Sequence, residues 1–388
     1  MCAAPTTPLD FLIRDRLATG GAMTIHDYMT LCLGHDQHGY YRRAEPIGRS
    51  GDFVTAPEVS QMFGELIGLW LADVWDRSGR PERPVLAELG PGRGTLMADA
   101  LRAAAGLPAF RDALDVHLVE TSTTLRAHQA AALKPLAITP TWHENTAGLP
   151  DDRPLFIVAN EFFDALPIHQ YVMSGGVWRE RMVVQASAAT ATNDGLSFGP
   201  GAHAPFVEPA IQTMRDRGLF DAGLGQKVPD GAIFETCPAA IAVIRDLAGI
   251  VRRQGGAVLI IDYGHARSGF GDTFQAVSRH AFADPLQAAG TVDLTAHVDF
   301  AALSAAARDS GARTFGPVNQ GTFLLELGIA MRAVALKRAA NDDQSAAIDT
   351  AVERLTAADQ MGTLFKVLAV TGDRGFDRTM PPAGFAGP

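Results

Sequence analysis

The residues Val85-Leu86-Ala87-Glu88-Leu89-Gly90-Pro91-Gly92-Arg93-Gly94 constrain this chain more than any others. A short apolar run carrying one acid leads into glycines at every second position. Thr95 to Ala105 then reads as a helix, with Leu96, Met97, Ala100, Leu101 and Ala104 on one face. Strand, glycine loop and helix form the nucleotide-binding opening of a doubly wound α/β sheet. Glycine serves where the backbone takes positive φ or passes close to a ligand, and the helix start adds free N–H groups. A dinucleotide fingerprint would read G-x-G-x-x-G, whereas position 95 is Thr and the spacing is G-x-G-x-G. A NAD-dependent oxidoreductase is therefore disfavoured. A strand-to-helix turn with glycines for packing alone would carry the same letters.

Glu88, two positions before the first glycine, completes a pattern that resembles motif I of the S-adenosylmethionine-dependent methyltransferases. The resemblance implies a loop passing beneath the methionine part of the cofactor, with the acid turned toward its amino group. A sulfonium and an ammonium favour a carboxylate nearby. Val116-His117-Leu118-Val119-Glu120 is a second strand pattern ending in an acid, about one β-α unit further on. Glu120 stands where Rossmann-type folds place the carboxylate that binds ribose hydroxyls. It could equally cap the helix that Thr121, Ser122 and Thr123 begin.

Of the 388 residues, 47% are hydrophobic and 20% charged, which permits a sizeable core in one large domain or two smaller ones. The net charge of −10 argues against a general nucleic-acid or membrane-surface binder. The three cysteines, Cys2, Cys32 and Cys237, match neither a zinc spacing nor a disulfide framework, so a reducing compartment is expected. No apolar run approaches the roughly 18 residues of a membrane span, and Met1 to Asp10 lacks the features of a signal or transit peptide. A cytoplasmic protein without membrane insertion is the expectation.

Residues 8–33 read as two helices, the first with the stripe Leu9, Leu12, Ile13, Arg16 and Leu17, the second N-capped by Thr24. His35 and His38 lack further ligands at a regular spacing and read as a hydrogen-bonded loop rather than a metal site. Residues 51–65 mix Gly, Pro, Asp and aromatics before a helix through Leu66, Leu69, Trp70 and Val74. They suit either a helix N-terminus or a lid over the ligand.

Long motifs recur in a fixed order: Gly51 to Glu65, Glu88 to Gly94, Ile157 to Pro167, Leu259 to Gly264, Gly271 to Ala276, Asp293 to Phe300, Gly316 to Gly321 and Met361 to Lys366. Over nearly the whole chain they resemble the MidA-like family, whose mitochondrial members are complex I assembly factors acting as protein arginine methyltransferases. Phe274 stands where that family would carry Leu. The resemblance implies S-adenosyl-L-methionine as cofactor. It also implies a protein substrate, with an arginine in a respiratory NADH dehydrogenase subunit as acceptor. A small-molecule methyltransferase and an assembly factor acting mainly by binding are the alternatives, and a homodimer is allowed.

Phe156-Ile157-Val158-Ala159 reads as a strand buried on both faces, with Asn160, Glu161 and Asp164 at its carboxyl end, where doubly wound sheets bind ligands. Glu161 and Asp164 are the catalytic candidates. Two carboxylates could orient a guanidinium by bidentate hydrogen bonds and leave one nitrogen free to attack a methyl group. Alternatively Asp164 caps a following helix and Glu161 is a structural acceptor. The cofactor-binding candidates are Glu88, Gly90, Gly92, Gly94, Glu120 and Asn160. No metal is expected: His265, His280 and His297 are too far apart, and His297 is taken as structural rather than as a general base.

Gly175-Gly176 marks a hairpin before the strand Val177 to Val184, and residues 186–230 read as loops with one helix near 207–217. Ile241 to Arg253 reads as a helix, Ala257 to Tyr263 as a central strand and Phe365 to Val370 as the last strand. The fold expected is α/β: a Rossmann-like class I methyltransferase sheet with an N-terminal helical cap and an inserted β/α substrate region. The divisions are 1–80 for the cap and lid, 81–170 for the first part of the core, 171–240 for the insertion and 241–388 for the rest of the core with its own insertions.

Overall fold

The structure is a computed structural model that describes residues 7–42, 55–186, 195–221, 228–278, 281–372 and 380–385. Among the described residues eight strands make the main sheet. Seven follow one path: β1 (Val85–Leu89), β2 (Asp115–Val119), β3 (Thr141–His143), β4 (Leu155–Asn160), β5 (Gly256–His265), β6 (Arg313–Asn319) and β7 (Phe365–Thr371), and the short strand Val298–Asp299 pairs with the end of β5. Their spatial order is β6-β7-β5-β4-β1-β2-β3. The first five are parallel, and β7 runs antiparallel between β5 and β6. The chain reverses its winding direction between β1 and β4. A ligand crevice is therefore expected outside their carboxyl ends.

The strands are apolar on both faces because helices cover both. Side chains alternate: Leu86, Phe156, Val158, Leu259 and Ile261 face one cluster, which includes the helices Gln61–Arg77 and Thr95–Ala103. Ala87, Ile157, Ala159, Val258 and Ile260 face the other, built with the helices Pro238–Gln254 and Phe300–Asp309. The helices Gln61–Arg77 and Thr95–Ala103 approach closely through glycine. A Cβ on Gly68 would stand 2.5 Å from the Ala100 carbonyl oxygen.

A second sheet is antiparallel: Ala22–Thr24, Val177–Gln185, His169–Ser174 and Ile233–Thr236 in that order, with Leu196–His203 also paired to Val177–Gln185. Its tightest turn is Gly175-Gly176, with φ of 60° and 76°, as a two-residue hairpin with mirror-image twist requires. Leu196–His203 lies where sequence patterning suggested loops. Its Gly and Pro content lowers strand propensity, and it forms at an edge, where Pro200 faces Arg181. The helix expected near 207–217 is Val207–Asp216.

The described residues of the stretch 1–80, grouped in the sequence as one cap and lid, pack in two places. Leu9, Ile13, Leu17, Tyr28 and Met29 join Val183, Leu196, Ala276 and Leu294 beside the second sheet. Thr7 and Asp10 there hydrogen-bond the backbone of Ala289. Thr24 does cap its helix, accepting from the Asp27 N–H. Leu12, by contrast, is exposed. The helix Gln61–Arg77 instead buries Phe63, Leu66, Ile67 and Trp70 against the main sheet. Among the described residues no helix is long and apolar enough to cross a membrane.

Candidate functional site

At the end of β1 the chain turns through Gly90 (φ 60°), Gly92 (φ 53°) and Gly94 (φ 81°). Gly94 is held by packing as well as by conformation, since a Cβ would lie 3.1 Å from Gln129 Cα. Glu88 shares the parity of Leu86, so its side chain enters the helix-covered face and does not line the crevice. Burial pushes its carboxyl up to about 8, partly offset by the Met97 N–H in the first turn of the Thr95–Ala103 helix. That helix begins at Gly94 without a side-chain cap. The strand acid supplies the acceptor instead.

Glu120 follows β2. One of its oxygens accepts from the Ser122 N–H at 2.7 Å and the other from Gln129 Nε2 at 3.3 Å. The helix cap itself is Ser122, whose hydroxyl accepts from Leu125 N–H. Gln129 is fully buried and also donates to the Gly92 carbonyl at 2.8 Å, while Trp142 Nε1 donates to its oxygen at 2.8 Å. A single amide thus joins the glycine loop to the strand-end acid. Sequence reasoning missed it. Its only trace was a polar residue in the stripe Leu125, Gln129, Leu133.

At the end of β4, Glu161 takes φ of 52° and its N–H donates to the Ile261 carbonyl. Its Oε1 accepts from the Ala56 N–H and from Asn160 Nδ2, both at 3.1 Å. Removal from bulk water, and then the neighbouring Asp164 charge, push Glu161 up to about 7. Burial lifts Asp164 to about 6, with the Tyr263 hydroxyl offsetting part of the rise. No helix starts at Asp164, so the capping alternative does not hold. The turn is shaped by Asp262, which is wholly buried on β5. Its Oδ2 accepts from the N–H groups of Phe162, Phe163 and Asp164 at 3.2, 2.9 and 3.3 Å, and its Oδ1 from Tyr263 N–H at 3.0 Å. In the sequence Asp262 was one more strand-end acid.

These ends surround a cavity of about 390 Å³. Gly90, Gly92, Glu120, Glu161 and Asp164 line it, whereas Glu88, Gly94 and Asn160 stand behind its wall. Glu144, Asp293, Tyr41 and Tyr263 add to the polar lining, and among the described residues no Lys, Arg or His is part of it. Of the stretch read as a helix start or lid, residues 51–54 lie outside the described residues. Residues 55–60 strap the mouth through the Ala56 bond to Glu161 and through Thr95 Oγ1, which donates to Glu58 at 2.5 Å. The remainder belongs to the core helix. His297 does not reach this cavity. Its ring meets Tyr263 edge-on at 5.6 Å, and burial lowers its pKa. Among the described residues no group of three or more His, Cys, Asp or Glu could hold a metal ion.

The comparisons with known proteins agree with one another. The sequence profile of a family of S-adenosyl-L-methionine-dependent methyltransferases matches residues 66–318. The mitochondrial protein arginine methyltransferase NDUFAF7 of Xenopus tropicalis is 35% identical over 394 residues, covering 96% of this chain and 87% of that protein. Its Homo sapiens counterpart is 34% identical over 360 residues, covering 87% and 77%. A protein of Burkholderia thailandensis, crystallised with S-adenosyl-homocysteine, matches with a TM-score of 0.79 at 28% identity, covering 99% of this chain and 98% of that one. With the strand order and the loop geometry in agreement, the chain belongs to the S-adenosyl-L-methionine-dependent methyltransferase family and is an enzyme of that kind.

Proposed function

We propose that this enzyme methylates the guanidinium of an arginine carried by a protein. In this reading Glu161 and Asp164 hold the acceptor, and Glu120 with the backbone at Gly90 and Gly92 holds the cofactor. The observation that carries it is the charge of the cavity: Glu120, Glu144, Glu161, Asp164 and Asp293 line it, with no basic side chain among the described lining residues. Carboxylates facing one another in an enclosed space repel and take up protons unless a cation lies between them. Burial raises both Glu161 and Asp164, and the Asp164 charge raises Glu161 further.

The bound cofactor supplies an electrophilic methyl group on a cationic sulfonium. The carboxylates therefore suit both the donor and a planar guanidinium. Glu161 and Asp164 can each accept hydrogen bonds from such a group, fixing its plane and leaving one nitrogen uncommitted. Asp262 keeps their turn in shape, and Gln129 keeps Glu120 registered to the glycine loop. Glu88, Gly94 and Asn160 act from behind the wall: Glu88 caps the loop's helix, Gly94 lets that helix meet Gln129, and Asn160 donates to Glu161. The relatives named as protein arginine methyltransferases support an arginine acceptor. The finer reading places the chain in the cytoplasm. Its acceptor is then a respiratory NADH dehydrogenase subunit, with methylation a step in assembling that complex.

The test uses lysate from cells lacking this protein, incubated with radiolabelled cofactor and the purified enzyme. Label should enter a discrete protein and be recovered as methylarginine after acid hydrolysis. Glu161→Gln and Asp164→Asn should abolish incorporation while calorimetric affinity for S-adenosylhomocysteine stays near wild type. Label recovered on another residue or on a small molecule, or retained by both variants, would refute the assignment.

A further inference from the structure

A second, larger cavity of about 600 Å³ lies on the other side of the turn that carries Glu161 and Asp164. Along that turn Phe162, Asp164 and Leu166 line the first cavity, and Phe163 and Ile168 line the second. Tyr263 in the wall of the first meets His297 in the wall of the second edge-on. The second cavity is assembled from both sheets: Glu235 and Phe270 come from the antiparallel side, Ile241 and Leu303 from helices of the main sheet.

The two cavities differ in chemistry. Around the second, Asp221, Glu235 and Asp299 are accompanied by Arg245 and Arg267, with His265 at 3.7 Å from Asp299. Glu235 is already occupied by Thr273 and Gln170. The floor is apolar: Phe163, Ile168, Ile241, Phe270, Val298 and Leu303. The first cavity, at about 390 Å³, is near the lower end of the roughly 300–1,000 Å³ usual for small-ligand sites, so one nucleoside-sized cofactor leaves little room in it. An acceptor polypeptide must then find its other contacts outside.

We infer that the second cavity docks an uncharged, apolar side chain of the acceptor polypeptide that flanks the methylated arginine. The inference rests on the arginine-protein reading above. A guanidinium looks the same on every arginine, so choosing one requires contact with its neighbours. An enclosed pocket that desolvates an apolar anchor is where such selectivity is concentrated. The lining carries both signs of charge, so neither a strongly acidic nor a strongly basic occupant meets a field of one sign. The shared turn puts the anchor and the reacting carboxylates on two faces of the same few residues.

The probe is a library of arginine-centred peptides. Each flanking position carries Leu, Phe, Gly, Asp or Lys in turn, and methyl transfer is followed with radiolabelled cofactor. Wild type should methylate peptides with Leu or Phe at one position at least tenfold faster than those with Asp or Lys there. Ala242→Trp, at the exposed mouth, and Ala302→Phe, in the wall, should remove that preference through KM. The kcat and the calorimetric affinity for S-adenosylhomocysteine should be kept. Methylation without a flank preference, or a preference unchanged in both variants, overturns the docking site and leaves the arginine reading standing. A wild-type enzyme that binds S-adenosylhomocysteine yet methylates no arginine peptide overturns the reading, and the docking site with it. If one variant fails to fold, the other decides.

Discussion

Replacing Glu120 by Gln separates a cofactor-binding role from an architectural one. In the folded chain one Glu120 oxygen is committed to the Ser122 N–H at 2.7 Å, and the other faces the cavity with Gln129 Nε2 at 3.3 Å. A glutamine keeps its carbonyl on the Ser122 N–H, so its amino group lands where the cavity-facing oxygen was. There it meets Gln129 Nε2, a second donor. Gln129 cannot turn its amide over to help, because its oxygen holds Trp142 Nε1 and its nitrogen holds the Gly92 carbonyl, each at 2.8 Å. The variant therefore loses a charge-assisted acceptor for the cofactor and disturbs the tie to the glycine loop. A hydrogen bond to a charged group contributes about 1.5–3 kcal/mol. Affinity for S-adenosylhomocysteine should accordingly fall roughly 10- to 150-fold by titration calorimetry. Without ligand the donor conflict is offset by removal of a buried carboxyl that burial already holds above its ordinary range. The ligand-free unfolding midpoint should thus move by no more than about 2 °C, the equivalent of roughly 1 kcal/mol in a chain of this size. Unchanged affinity would refute the reasoning and leave Glu120 as an anchor for the Ser122 N–H alone.

Gly92→Val places a β-branched residue at φ 53°, a strain of about 1–3 kcal/mol. The ligand-free midpoint should drop by a few degrees while S-adenosylhomocysteine binding disappears; retained affinity would confine Gly92 to a backbone role. Glu161 at about 7 and Asp164 at about 6 both stand above their ordinary values, so the folded, ligand-free chain favours their protonated forms. That stability is present below the ordinary carboxylate range and is lost progressively as pH rises from about 4 through 6 to 7. Thermal scans should show a midpoint falling over that window and a shallower fall in Glu161→Gln; parallel slopes would remove the coupling. Gly68→Ala sets a helix-propensity gain of about 1 kcal/mol against overpacking of about 1–3 kcal/mol at a Cβ only 2.5 Å from the Ala100 carbonyl. Net destabilisation is expected in denaturant titrations, and a rise in the unfolding midpoint would show that the helix pair can part.

What the sequence by itself determined is what depends on neighbours along the chain. The apolar runs at Val85–Leu89, Leu155–Asn160 and Gly256–His265 became the buried centre of the sheet because no polar side chain interrupts their first residues. The glycine spacing produced the three positive-φ positions of the loop, Gly175-Gly176 the hairpin, and Thr24 the helix cap, each a matter of local backbone geometry. What only the tertiary structure decided is which groups meet. Glu88 and Glu120 looked alike as strand acids, yet one points under a helix and the other into the cavity. Period-two alternation divides a strand's faces without naming the one that meets the ligand. Helices Pro8–Gly20 and Ile25–Gly34 were legible as helices, but their partners are Val183, Ala276 and Leu294, far along the chain. Leu196–His203 became a strand through pairing with Val177–Gln185 and against its own composition. Asp262, which accepts three N–H groups of the Glu161 turn from about 100 residues away, and Gln129, between loop and acid, showed in the sequence only as polar letters in apolar patterns. Such contacts form when the sheet order brings β1, β4 and β5 side by side, and that order comes from burying both faces at once.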